Sequence, residues 1–120
     1  MQIDGYFNAH DEPVIRLNVG SFSIEVLVDT GFDGSLIIPT QMASGLALKF
    51  EGFEEFHSVT GQMFVASSYS IEIDWLGRRI KVPVATSSEV SEALLGSHLL
   101  KNCRLTIDYG HRNIVIVESR

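Results

Sequence analysis

The chain has 120 residues, 45% of them hydrophobic and 20% charged. That length predicts one domain over residues 1–120 and excludes a multidomain enzyme, and the balance excludes a disordered chain. Nine Lys+Arg against fifteen Asp+Glu give a net charge of -6. A phosphate backbone would repel that charge, and the densest basic cluster, Arg78, Arg79 and Lys81, is too small to reverse it, so no nucleic-acid partner is expected.

The elements follow a period of two. Strands are predicted near 2–8 and 14–19, separated by His10-Asp11-Glu12-Pro13, with Ile15, Leu17 and Val19 facing inward. Gly20-Ser21 reads as a two-residue hairpin turn into Phe22-Ser23-Ile24-Glu25-Val26-Leu27-Val28. A second apolar strand leaves near Leu36-Ile37-Ile38. Thr40 to Leu48 reads as a short helix with Thr40 as its cap, weakened by Gly45. Extended segments 50–58 and 63–74 flank Thr60-Gly61. Leu76-Gly77 turns the chain into the alternating run Ile80, Val82, Val84. Gly96 to Lys101 reads as one or two helical turns, and Leu105 and Ile107 begin a last pair of strands about a turn at Gly110–Arg112. Ile114-Val115-Ile116-Val117 is apolar on both faces, which fits either a central, covered strand or a dimer interface. Many short strands with frequent turns predict a small all-β barrel or sandwich.

One cysteine, Cys103, excludes an internal disulfide and a Cys-cluster metal site, and reads as an inert, buried thiol. His10, His57, His98 and His111 have no metal-ligand spacing. His57 reads as surface decoration and His98 as a structural residue. Glu89 and Glu92 read as a solvated loop. Ser35 lies outside any nucleophile elbow. No apolar run is long enough to span a membrane, and the first residues carry no signal-peptide pattern, so a cytoplasmic protein without a membrane partner is expected.

The segment that carries chemistry runs from Val26 to Pro39. An apolar strand enters Asp29-Thr30-Gly31 and a second apolar strand leaves. Taken alone, Asp29 and Thr30 are turn residues whose side chains cap the backbone. Context argues for more. A carboxylate at the end of a buried strand needs partners to stay ionised, and Gly31 permits a close approach whose amide can hold an inner carboxylate oxygen. Downstream, Leu94-Leu95-Gly96 precedes the second helical candidate. By itself it is an ordinary strand-to-helix junction.

Together these residues resemble the retropepsin-like aspartic proteases, in the Asp-Thr-Gly-Phe form found in bacteria and archaea. The order is the same: an apolar strand into Asp29-Thr30-Gly31, a strand and turn (35–48), a hairpin with a glycine tip (50–74) in the place of the flap, then Leu94-Leu95-Gly96 and terminal strands. The resemblance covers most of residues 14–117. It implies a small closed β-barrel of retropepsin type with one or two short helices.

It also implies a mechanism with a symmetry requirement. One chain holds one Asp-Thr-Gly and the chemistry needs two, so the active form would be a C2 homodimer with the site on its axis. The two Asp29 carboxylates, ~3 Å apart, would share one proton and activate a water toward an extended peptide or protein substrate. Thr30 would lock the two loops across the axis and Gly31 would line the channel. Leu94, Leu95 and Gly96 would support the loop from beneath, and Thr60, Gly61 and Gln62 would cover the peptide. No metal or other cofactor is implied.

Two departures stand out. Phe32 replaces a small residue, and would narrow the cleft or fill an apolar subsite. Ser97 replaces the arginine that partners the acid at position 33, leaving Asp33 either to bind substrate amides or, the reading preferred, to act as a turn residue. Both departures, with the unusual hairpin, motivate a rival: a non-catalytic dimer of this fold that binds peptides or proteins.

Overall fold

A computed structural model describes residues 1–57 and 60–119. Its strands are β1 (Gln2–Phe7), β2 (Pro13–Val19), β3 (Phe22–Val28), β4 (Leu36–Pro39), β5 (Lys49–His57), β6 (Met63–Trp75), β7 (Arg78–Ser87), β8 (Leu94–Leu95), β9 (Cys103–Asp108) and β10 (Asn113–Glu118). They pair in the order β5-β6-β7-β4-β8-β3-β2-β1-β10-β9. One further pair, Val19 opposite Ile73, joins β2 to β6 and closes β6-β7-β4-β8-β3-β2 into a ring of six strands. The fold is nearly all-β, as the alternating sequence predicts.

The ring encloses the main core. In β2, Ile15, Leu17 and Val19 are buried while Arg16 and Asn18 are exposed, so the period of two places one face inside. Val26, Val28, Leu36, Ile38, Ile71, Ile73, Val82, Val84 and Leu95 meet them there. Fully burying an aliphatic side chain of this size contributes about 1.5–3 kcal/mol. A second, smaller cluster lies outside the ring's interior, built on Ile37, Phe56, Ala66 and Ala85, with Phe32, Phe64, Val90 and Leu94 packed against it.

The terminal strands form an annex. β1 pairs with β10 through Gln2–Gly5 and then with β2 through Tyr6 and Phe7. The handover needs a glycine, because a Cβ on Gly5 would lie 2.5 Å from the Val14 carbonyl oxygen. The doubly apolar run in β10 is a central strand, paired with β1 on one edge and β9 on the other. Ile114 and Ile116 point into the core, and Val115 and Val117 are half-buried on the opposite face.

Both helical segments are shorter than the sequence predicts. The segment from Thr40 forms only a 3-10 turn at Thr40–Met42, the cap position falls on Pro39, and no side chain caps it. Gly45 adopts φ +89, which ends any right-handed helix. Residues 97–101 form consecutive turns: the Leu100 and Lys101 amides donate three residues back, to the Ser97 and His98 carbonyls, and Asn102 at φ +63 ends the run. The predicted hairpins at Gly20-Ser21 and Leu76-Gly77 are present, with Val19 opposite Phe22 and Trp75 opposite Arg78. β5 and β6 form the expected long hairpin; the last residue of the predicted 50–58 strand lies outside the described residues.

Candidate active site

The loop after β3 is held from several sides. Leu27 and Val28 pair in parallel with Leu94 and Leu95, and the Asp29 amide donates to the Leu95 carbonyl at 2.9 Å. The chain then turns tightly, with the Phe32 amide donating to the Asp29 carbonyl at 3.1 Å. Gly31 donates its amide to Asp29 Oδ1 at 3.0 Å. The glycine therefore does what the sequence suggests, fixing the inner oxygen of a half-buried carboxylate.

Residues 96–98 close the loop from below. The amides of Gly96, Ser97 and His98 donate to the carbonyls of Ser35 (2.9 Å), Phe32 (2.8 Å) and Gly34 (3.1 Å) respectively. This approach requires Gly96 to lack a side chain: a Cβ there would lie 2.2 Å from the Gly34 carbonyl oxygen and 2.5 Å from Phe32 Cδ2. Leu94 and Leu95 set the depth of the support, Leu95 fully buried between β3 and β4. Phe32, the residue out of pattern, has a packing role. Its ring lies over Gly34, and its centroid is 5.5 Å from that of Phe56 in the hairpin, which in turn lies 5.7 Å from Phe64.

Hairpin and loop enclose a cleft of about 450 Å³. Asp29, Gly31 and Gln62 line it, over a base that includes Phe32, Ile37, Phe56, Phe64, Val90 and Leu94. Such a hollow, mostly apolar with a few polar groups at its edge, suits an apolar side chain next to a carboxylate. His57 and Glu89, read from sequence as surface residues, are exposed and line this cleft as well. Phe56 and Phe64 were not singled out by sequence reasoning. The available signal was their cross-strand pairing, since they face each other directly on the inward side of the hairpin.

Other candidates fall elsewhere. Thr30 is exposed and does not line the cleft, and Thr60 and Gly61 are exposed at the hairpin end. Asp33 is exposed, forms no ion pair among the described residues, and faces a neighbouring depression of about 300 Å³ with Glu54, Glu55 and His98. Ser97 therefore contributes a backbone amide to the loop, and Asp33 has no ion-pair partner among the described residues. In the hairpin, Glu54 and Glu51 accept hydrogen bonds from Ser68 Oγ (2.7 Å) and Ser70 Oγ (3.0 Å), which tie β5 to β6.

Comparison with known proteins agrees with this architecture. The family model of retroviral aspartyl protease matches residues 9–108. Among solved structures, a retropepsin-like aspartic protease from Rickettsia conorii is similar with a TM-score of 0.69 at 19% identity, covering 97% of this chain and 89% of that one. The EIAV protease in complex with the inhibitor HBY-793 is similar with a TM-score of 0.66 at 23% identity, covering 79% of this chain and 90% of that one. At those identities the likeness speaks for the fold. The family match spans most of the sequence, including the Asp29 loop and the Leu94-Leu95-Gly96 strand, and the chain belongs to the retroviral aspartyl protease family.

Proposed function

We propose that this single-domain chain is an aspartic endopeptidase, active as a C2 homodimer. The observation that carries the reading is the setting of Asp29, a half-buried carboxylate held by the Gly31 amide at the edge of a cleft roofed by a hairpin. The sequence holds a single Asp-Thr-Gly and no Asp-Ser-Gly, so a second carboxylate comes from a second copy.

In the dimer, the two Asp29 side chains share one proton, as two adjacent carboxylates cannot both ionise. The ionised carboxylate takes a proton from a water whose oxygen bonds to the scissile carbonyl carbon. The protonated one donates to the carbonyl oxygen, giving a tetrahedral diol. Collapse breaks the C–N bond, with a proton delivered to the leaving nitrogen. Thr30, exposed in the single chain, faces the partner's loop. Gln62, with Thr60 and Gly61, covers an extended peptide, and Phe32 packs the loop against the hairpin base. The apolar base of the cleft favours an apolar side chain beside the cleaved bond.

Activity against a fluorogenic peptide with apolar residues around the bond tests the reading. Specific activity should track the dimer fraction measured by sedimentation across protein concentration. Full activity where only monomer sediments would contradict the shared-site mechanism.

A further inference from the structure

Beyond its pairing with β4, β7 carries an uncovered edge. β4 pairs with β7 only from Leu36 opposite Val84 to Pro39 opposite Ser87. From Arg78 to Pro83 the edge on that side has no strand partner among the described residues. Trp75 and Arg78 flank a two-residue turn and form a hydrogen-bonded pair, and the pairs alternate from there. Arg79, Lys81 and Pro83 therefore direct their main-chain groups away from β6, and among the described residues none of them makes a backbone bond outside the ladders. Arg79 and Lys81 each offer an N–H and a C=O, and Pro83, next to the start of the β4 pairing, has no N–H to offer.

Beside this edge runs a groove of about 450 Å³, bounded on its other wall by the 98–103 turns. Its floor is apolar, with Trp75, Val82 and Leu99. Its rim carries Arg78, Lys81 and Lys101, three of the nine basic residues in a chain of net charge -6. Glu118 engages Arg78 at 2.6 Å, whereas Lys81 and Lys101 are exposed and form no ion pair among the described residues. The groove shares no lining residue with the Asp29 cleft.

We propose that this groove is a docking site for an extended acidic segment of a partner protein, which adds to the free edge of β7 and sets its carboxylates against Lys81 and Lys101. Three features point to one occupant. Strand addition to an open edge supplies main-chain hydrogen bonds whatever the sequence. The apolar floor takes alternate side chains of that strand. Two unpaired lysines on an otherwise acidic protein select negative charge, and pairing of two β7 edges, which would set basic residues against basic residues, is disfavoured.

The experiment uses two labelled probes, a peptide of about six residues alternating Glu and Val and its counterpart alternating Lys and Val. Binding to the Asp29→Asn protein, which keeps the probes intact, is read by fluorescence anisotropy, and amide exchange is followed with and without probe. The acidic probe should bind at least about tenfold tighter than the basic one, and more weakly as salt rises. Its binding should slow exchange at Arg79 and Lys81. The Lys81→Glu/Lys101→Glu variant, whose substitutions are exposed, should lose about tenfold in affinity while its circular dichroism is unchanged. Equal affinity for both probes, protection confined to β5 or β9, or self-association through β7 would each overturn the proposal.

Discussion

Gly96 and Phe32 occupy one space. The ring of Phe32 fills the volume that a side chain at position 96 would need, with a Cβ at Gly96 falling 2.5 Å from Phe32 Cδ2 and 2.5 Å from the Phe32 carbonyl oxygen. The bulky residue after Asp-Thr-Gly and the glycine after Leu-Leu are thus halves of one packing solution. Gly96→Ala should cost about 3 kcal/mol, since the clash is with backbone as well as with a ring. Urea unfolding measures it; a loss below about 1 kcal/mol would mean that the loop yields easily.

Phe32 also ties the Asp29 loop to the hairpin through Phe56. Phe32→Ala should destabilise by about 2–3 kcal/mol, less than a fully buried phenylalanine because the ring is half-buried. The effect should be local: amide exchange in β5 and β6 near Phe56 and Phe64 should quicken well before that of Ile15 or Ile116. Uniform loss of protection across the chain would show that the small cluster and the main core unfold as one.

If two Asp29 carboxylates meet at a dimer axis and share one proton, association at neutral pH must draw that proton from solution, which costs free energy. Asp29→Asn removes that cost and should tighten the dimer, by about tenfold for ~1.4 kcal/mol. Sedimentation across protein concentration reads this. Weaker association of the variant at pH 7 would argue against facing carboxylates.

The β9–β10 turn has its own pH dependence. Asp108 is held below its ordinary range of 3.8, first by the hydrogen bond from the His111 amide and then by the His111 ring. Its folded-state value lies under its unfolded value, so its contribution is present above about pH 4 and is lost as pH falls through the depressed value. Asp108→Asn should flatten that acid limb, as seen in the pH dependence of exchange at the turn. An unchanged limb would place the acid sensitivity elsewhere.

Much of this architecture was legible because its signals are local. Alternation in Ile15–Val19 and Ile71–Trp75 marks buried faces directly, and turns such as Gly20-Ser21 and Leu76-Gly77 set hairpin register. The helices expected at Thr40–Leu48 and Gly96–Lys101 are cut short because each segment meets a left-handed residue, Gly45 at φ +89 and Asn102 at φ +63, which no apolar period announces. Asp29, Gly31, Phe32 and Gln62 were expected to share one cleft, and they do. Asp33 faces the adjacent depression instead, Phe56 and Phe64 join the cleft as a cross-strand pair of one hairpin, and Glu89 joins it from a distant segment that no short motif links to the Asp29 loop.

The most direct test of the account is cleavage of an unbiased peptide library, read by mass spectrometry from about pH 4 to 8. Wild type and Asp29→Asn are compared side by side as dimers of verified stoichiometry. The account predicts cuts next to apolar residues by the wild type and none by the variant. The same cuts by both proteins, or none by a dimeric wild type at any pH, would contradict it.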